Sequence, residues 1–596
     1  MTPGAAGRSV GAWLDETGAH FRLWAPSAAR VELLVEGFDQ PVSLTPSGGG
    51  IFAADLTGPS HGRHYRYRVD GRGPFPDPAS PWQPDGVHGA SALDDPRAFA
   101  WHAGPPALSR RDLIIYELHV GTFTPDGTFD GARGRLPWLR DLGITAVELM
   151  PIAEFAGTRN WGYDGAALFA PSSAYGGPAG LRRFVDAAHQ LGLAVILDVV
   201  YNHVGPDGAY LGAISPEFFS PDEASPWGAA VNLAEPAVRA WLTANAVHWA
   251  VDYQADGFRL DATHALPQAE APAFIRGLVR DVRAAAGRDV IFIAEDHRNL
   301  AEMLRPAGEG GWGLDGVWTD DFHHHVRVLA AGDSHGYYRD YRADAADLAE
   351  TIRRGWFFSG QHSTHIGEPR GTDPSALAPE QFIYCIQNHD QIGNRAHGDR
   401  LHHTVGLDAW RAASALLLLA PETPLLFMGQ EWAATSPFQY FTDHHEELGR
   451  LVSHGRRSEF RDFPAFQGRA GEIPDPQDED TFDASRLRWE ECAEPPHAGV
   501  LALYRALLAL RRSDPLPGED AFAMDSETVA LTGKGRALVA RLKGSGRVPL
   551  APGLDGDWRI VLTTEDPAFA DDGAPPVLED GHIIFARPSA VVLAHE

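Results

Sequence analysis

The chain has 596 residues, 44% hydrophobic and 10% aromatic, enough for large cores and too long for a single one. Its 50 Lys plus Arg stand against 80 Asp plus Glu, a formal net charge of −30. Such a surface repels nucleic acid and anionic membranes and suits a neutral substrate, so neither a nucleic-acid nor a membrane partner is expected.

The N-terminus, Met-Thr-Pro-Gly-Ala-Ala-Gly-Arg, lacks an apolar core segment, so no signal peptide and a cytoplasmic location are expected. Residues 11–70 read as short alternating strands, among them His20–Trp24, Arg30–Val35 and His64–Val69, punctuated by Gly, Pro and Ser. This pattern predicts a small β-sandwich over residues 1–104, followed by Pro-rich breaks.

From residue 105 to 514 strands alternate with helices. The expected strands are Leu113–His119, Ala146–Met150, Leu193–Val199, Gly257–Asp261, Val290–Ala294, Gly316–Thr319, Phe382–Gln387 and Pro424–Met428. The run Leu193–Val199 is almost continuously apolar, as a parallel strand buried on both faces should be. Helices over Leu181–Leu191 and Pro272–Ala286 stop at Gly192 and Gly287. The alternation predicts a (β/α)8 TIM barrel with a short insertion at about 203–235. A doubly wound sheet ranks below it, because no Gly-rich dinucleotide fingerprint follows the first strand. Two cysteines, Cys385 and Cys492, exclude a disulfide framework. Strands return after residue 515, with Thr528–Thr532, Arg536–Arg541, Trp558–Leu562 and Ala590–Leu593 predicting a C-terminal β-sandwich over 515–596. The fold class is therefore multidomain α/β, a TIM barrel between two sandwiches.

In such a barrel chemistry sits at the C-terminal strand ends. Five of those ends carry Asp198–His203, Arg259 with Asp261, Glu295 with Asp296, Asp320–His325, and Asn388–Gln391. Arg259 and Asp261, two apart on a strand, share a face, and the guanidinium favours an ionised, nucleophilic carboxylate. Glu295 follows an apolar strand and crowds other carboxylates, two effects that keep a carboxyl protonated. A carboxylate pair of this kind fits retaining glycoside hydrolysis without a cofactor, which wants the two groups about 5–5.5 Å apart. Asp390, with His389 and His203, suits sugar hydroxyls and positive charge at the anomeric carbon. A metal cluster at His323–His325 is the competing reading of that run, since on a strand His323 and His325 share a face.

The segments Asp198–His203, Gly257–His264, Glu295 and Asn388–Asp390 resemble, in order and spacing, the four signature regions of the α-amylase family of glycoside hydrolases. The resemblance implies Asp261 as nucleophile, Glu295 as proton donor and Asp390 as transition-state stabiliser. It also implies sugar contacts from Arg259, His203 and His389, with Leu260, Ala262, Thr263 and His264 beside the nucleophile. Trp161-Gly-Tyr-Asp164 resembles the family segment whose tyrosine, here Tyr163, stacks on the sugar, and Trp161 is counted with it. Many members bind calcium through the Asn matching Asn202 and a large insertion. Here the stretch to Pro236 is short and poorly acidic, so no metal is expected.

Three further stretches narrow the choice within that family: Trp318–His325 with Gly336–Asp340, Gln387–Arg395, and Gly429–Trp432 through Ser436–His444. They resemble members that cut the α-1,4 bond next to the trehalose end of maltooligosyl trehalose, releasing trehalose and a maltooligosaccharide. The first adds Asp320, Asp321, Phe322, His323 and His324 as expected substrate contacts, and the second adds Gln391, Ile392, Gly393, Asn394 and Arg395. Such a member works in sequence with a maltooligosyl trehalose synthase. A glycogen branching enzyme, which transfers glucan chains, is the nearest alternative. A non-catalytic glucan-binding protein is the more distant one. The N-terminal sandwich is expected to shape one side of the cleft.

Overall fold

The computed structural model describes residues 9–225, 227–460, 473–513, 516, 520–533, 535–550, 554 and 557–595. Residues 1–8 and the expected joint at 514–515 lie outside the described residues.

Eight parallel strands close into a ring: β1 (Ile115–Leu118), β2 (Ala146–Leu149), β3 (Ala194–Val199), β4 (Gly257–Leu260), β5 (Ile291–Glu295), β6 (Gly316–Trp318), β7 (Phe382–Tyr384) and β8 (Thr423–Phe427). Closure is direct, with Ile115 of β1 paired to Leu425 of β8. Every residue of β3 is buried, which is why its sequence reads as an apolar run. The helices around the ring turn one stripe inward. In α1 (Gly177–Gln190) Leu181, Phe184, Val185 and Ala188 are buried, and in α2 (Pro236–Asp252) Trp241, Leu242 and Trp249 are. In α3 (Ala271–Ala286) Phe274, Ile275, Leu278 and Val282 recur at helical spacing, and Gly287 closes the helix at φ 65°.

The predicted barrel strands are all present, several shorter than the sequence suggested. The competing reading of His323–His325 as a strand-borne pair does not hold. Strand β6 ends at Trp318, and Asp320 opens a helix, α4 (Asp320–Ala331), so His323, His324 and His325 are helical residues. Positions two apart on a helix do not share a face, which removes the geometry of a strand-borne histidine pair. Among the described residues no group of three or more His, Cys, Asp or Glu is gathered as a metal ion requires.

The N-terminal part is a sandwich of a four-stranded and a five-stranded antiparallel sheet around Phe21, Leu33, Tyr65 and Tyr67. Its core also takes in Ile214, contributed by the insertion after β3. At the other end five-stranded and three-stranded sheets face each other across Val539, Ile583 and Val591. This last sandwich is joined to the barrel by buried charge. Arg411, on α5 (Leu401–Leu419), donates to Glu565 at 2.6 Å and to the Thr564 carbonyl at 3.0 Å, and Arg587 takes the other Glu565 oxygen at 2.5 Å. Among the described residues no helix is long and apolar enough to cross a membrane.

Candidate active site

Arg259 is the centre of the rim. It projects from β4, fully buried, and its Nη1 donates to both oxygens of Asp198 (3.0 and 2.8 Å) and to Oδ1 of Asp261 (2.7 Å). Strand register explains the first contact, because Asp198 and Arg259 are paired residues of β3 and β4. The second follows from the two-residue repeat of a strand. Nη2 lies 3.8 Å from Oε2 of Glu295, and the guanidinium stacks 4.3 Å above the Trp318 ring. Burial alone would discharge Arg259, but Asp198, Tyr163 and Asp261 outweigh it and hold it charged.

Asp261 is gripped at both oxygens, Oδ1 by Arg259 and Oδ2 by the side-chain amide of Asn202 at 2.8 Å. The Asn202 carbonyl oxygen is in turn bonded to His203, whose other ring nitrogen meets the Tyr163 carbonyl at 2.9 Å. Glu295 closes β5 and stands half-buried. Its Oε2 accepts the Ala262 backbone N–H at 2.6 Å. Burial pushes its carboxyl well above the ordinary range; Arg259 opposes the shift, and Asp261, Asp390 and Asp320 add to it.

A second chain runs from the opposite wall. Nδ1 of His389 bonds Glu117 at 2.5 Å, its Nε2 meets the Tyr163 hydroxyl at 2.8 Å, and that hydroxyl donates to Asp198 at 2.6 Å. The His389 and Tyr163 rings stack at 5.1 Å. Burial alone would lower the His389 imidazole, but Asp390 and Glu117 outweigh it and push it up to about 9. Asp390 is the open member, 40% exposed, 3.4 Å from His389 Nε2 and bonded by the Asn394 amide at 3.3 Å. Asp320, pushed up to about 6 by burial, accepts from Gln391 at 3.3 Å.

The structure thus gathers Asp261, Glu295, Asp390, Arg259, Tyr163, His203, His389, Asp320, Gln391 and Asn394 at one end of the barrel. Ala262 joins through its N–H, Thr263 supports β5 by bonding the Glu295 carbonyl at 3.1 Å, and His264 packs on His297. Other expected residues stand behind the wall. Asp321 is fully buried and spent on Tyr341 (2.6 Å), Asn299 (2.7 Å), the Phe357 N–H (2.7 Å) and Arg370 (3.2 Å). Phe322 stacks on Tyr384, and Leu260 and Ile392 are core residues. His323 and His324 are buried, with the His324 imidazole pushed down to about 3 by burial. Trp161 lies against Phe438 and donates to the Gln439 carbonyl at 2.9 Å, backing the site. An added Cβ on Gly393 would meet Trp161 at 2.1 Å, so the residue is there for close packing. Arg395 turns to Asp399 at 2.6 Å.

Four residues escaped the sequence reading as parts of the site. Asp198 lay inside a recognised segment without a role, Asn202 was weighed only as the match of a calcium ligand, and Glu117 sits on a strand whose end had not been considered. Trp227, half exposed and stacked on His203 at 4.7 Å, comes from the hairpin Phe219–Ser225/Gly228–Val231 within the insertion. An aromatic beside Pro and Gly in a short insertion was its only signal.

Chemically the site holds one carboxylate fixed by two donors, a crowded carboxyl that favours its proton, and a third, open carboxylate. Residues 94–217 match the family described as alpha amylase, catalytic domain, and residues 9–83 match carbohydrate-binding module 48, the isoamylase N-terminal domain. The chain is 48% identical to a malto-oligosyltrehalose trehalohydrolase of Deinococcus radiodurans over 84% of this chain and 82% of that one. It is 38% identical to the enzyme of that name from Saccharolobus solfataricus, over 88% and 91%. A solved structure of a putative alpha amylase from Salmonella typhimurium superposes with a TM-score of 0.89 at 35% identity, covering 99% of this chain and all of that one.

Proposed function

Because the chain belongs to the malto-oligosyltrehalose trehalohydrolases of the α-amylase family, we propose that Asp261, Glu295 and Asp390 carry out its glycosidase reaction. That reaction is hydrolysis of the α-1,4 bond next to the trehalose end of maltooligosyl trehalose.

The observation that carries the assignment is the pairing of environments around Arg259. One carboxylate, Asp261, is held by two hydrogen-bond donors, while the neighbouring Glu295 is pushed toward its protonated form. Asp261 attacks the anomeric carbon as Glu295 gives its proton to the glycosidic oxygen. The carbon–oxygen bond breaks with its electron pair on that oxygen, and free trehalose departs. The maltooligosyl unit is then an ester of Asp261. Glu295, now a carboxylate, takes a proton from water, whose oxygen displaces Asp261 and releases the maltooligosaccharide with retained configuration. Asp390 and the charged His389 bind hydroxyls of the ring that passes through the oxocarbenium-like state. Tyr163, braced by Asp198 and His389, offers that ring a flat face.

The substrate is an α-glucan, and the enzyme works downstream of a synthase that makes the terminal 1,1 linkage. The test is product analysis on maltooligosyl trehalose and on a plain maltooligosaccharide of equal length. Rapid trehalose release with slow cutting of the plain chain is expected. Equal cleavage of both, or formation of longer or branched products, overturns the reading.

A further inference from the structure

We propose that the N-terminal sandwich is a positioning element of the cleft, acting through the insertion after β3 to hold Trp227 against His203. The proposal rests on the site assigned above and adds a set of residues distant from it.

The insertion is grasped along its length. Ser215 donates to the Trp24 carbonyl at 2.5 Å, and Ser27 donates to Glu217. The Tyr210 hydroxyl meets Nδ1 of His88 at 2.7 Å, and Nε2 of the same imidazole lies 3.1 Å from Asp207. Between these polar contacts Ile214, 2% exposed, is buried in the sandwich core itself. Val87 packs with Ala156, Ala166 and Ala209, touching both the insertion and the hairpin that frames Tyr163. The approach is close enough that a Cβ on Gly208, which holds φ 83°, would meet Val87 at 2.3 Å.

From the grasped segment the chain runs directly into the hairpin carrying Trp227. The hairpin base is anchored as well, with the Asn232 N–H on the Phe218 carbonyl at 2.9 Å and the Asn232 amide on the Glu217 carbonyl at 3.1 Å. Trp227 lies at the tip, its ring at 19° to His203. His203 bonds Asn202, and Asn202 bonds Asp261, so the path ends at the nucleophile. A half-exposed indole stays parallel to its partner only while its loop has one conformation. Four polar contacts and a buried isoleucine supply that restraint.

Deleting the sandwich would expose its buried partners on the insertion, so point changes are the better probe. Tyr210→Phe and Ser215→Ala each remove one grip and leave the cores intact. Each is expected to raise KM about three-fold with kcat nearly unchanged, and to lose that effect in a Trp227→Ala background, because coupled residues are non-additive. Thermal melting of each variant reports whether the fold is intact. Unchanged KM, or effects that add in full to Trp227→Ala, overturns the proposal. The cycle is run on whichever α-glucan the unmodified enzyme cuts. Failure of trehalose release therefore counts against the assigned substrate, and loss of coupling counts against the sandwich.

Discussion

The backbone N–H of Ala262 donates to Oε2 of Glu295 at 2.6 Å, and Ala262 adopts φ 40° to do so. A left-handed backbone at a non-glycine residue costs roughly 1–2 kcal/mol, and here it lies between the proposed nucleophile, Asp261, and Thr263, which bonds the Glu295 carbonyl. With Oε2 engaged by the Ala262 N–H, Oε1 is the oxygen left free to carry a proton.

Ala262→Gly relieves this strain, and melting is expected to show stability preserved with kcat retained within about three-fold. Ala262→Val places a β-branched residue where it does not fit, and a misplaced Glu295 should lower kcat about a hundred-fold. Equal activity of the two variants would show that the backbone conformation is incidental.

Arg259→Lys keeps the charge but loses the fork that reaches Asp198 and Asp261 together. The expected cost is about 3–5 kcal/mol in denaturant unfolding, because buried carboxylates lose their partner, with turnover reduced well beyond what the stability loss explains.

Two pH effects follow, and both are lost as pH rises. As the proposed proton donor Glu295 must carry a proton, so kcat/KM should fall as pH rises through its raised pKa. Asp320→Asn removes a neighbouring negative charge that helps raise it, so the alkaline limb should move to lower pH. His389 has its pKa raised to about 9 in the fold, so its stabilisation is complete below its ordinary value of 6.5 and is lost as pH rises through about 9. Urea unfolding of the native enzyme should weaken across that window, and the dependence should flatten in His389→Gln.

Adjacent residues Asp320 and Asp321 should separate cleanly. Asp321→Asn breaks a buried network and is expected to destabilise by about 3–5 kcal/mol, with the Phe357–Phe358 backbone losing its anchor. Asp320→Asn should leave the melting temperature nearly unchanged and raise KM, since the half-buried Asp320 makes one 3.3 Å contact with Gln391.

The architecture was legible because parallel strands buried on both faces must be apolar, as Ala194–Val199 is, and because glycines such as Gly287 stop helices. The three carboxylates that the fold gathers, Asp261, Glu295 and Asp390, were legible from strand ends and spacing. The supporting contacts were less so. Asn202 and Glu117 act across sequence separations of 59 and 272 residues, which only the closed ring brings together. The competing reading of His323–His325 needed the strand to run on past Thr319, where Asp320 and Asp321 in fact begin a helix, favoured at its positive end.

The Arg411–Glu565–Arg587 cluster bears on how this protein can be cut and recombined. Glu565 belongs to the last sandwich and Arg411 to a barrel helix, so separating them strands a buried guanidinium on the barrel side, while Glu565 keeps Arg587. A chimera with a crossover in that joint must exchange Arg411 and Glu565 together. Replacing the last sandwich with one that lacks the carboxylate should destabilise the barrel that retains Arg411, whatever the fit of the new surface.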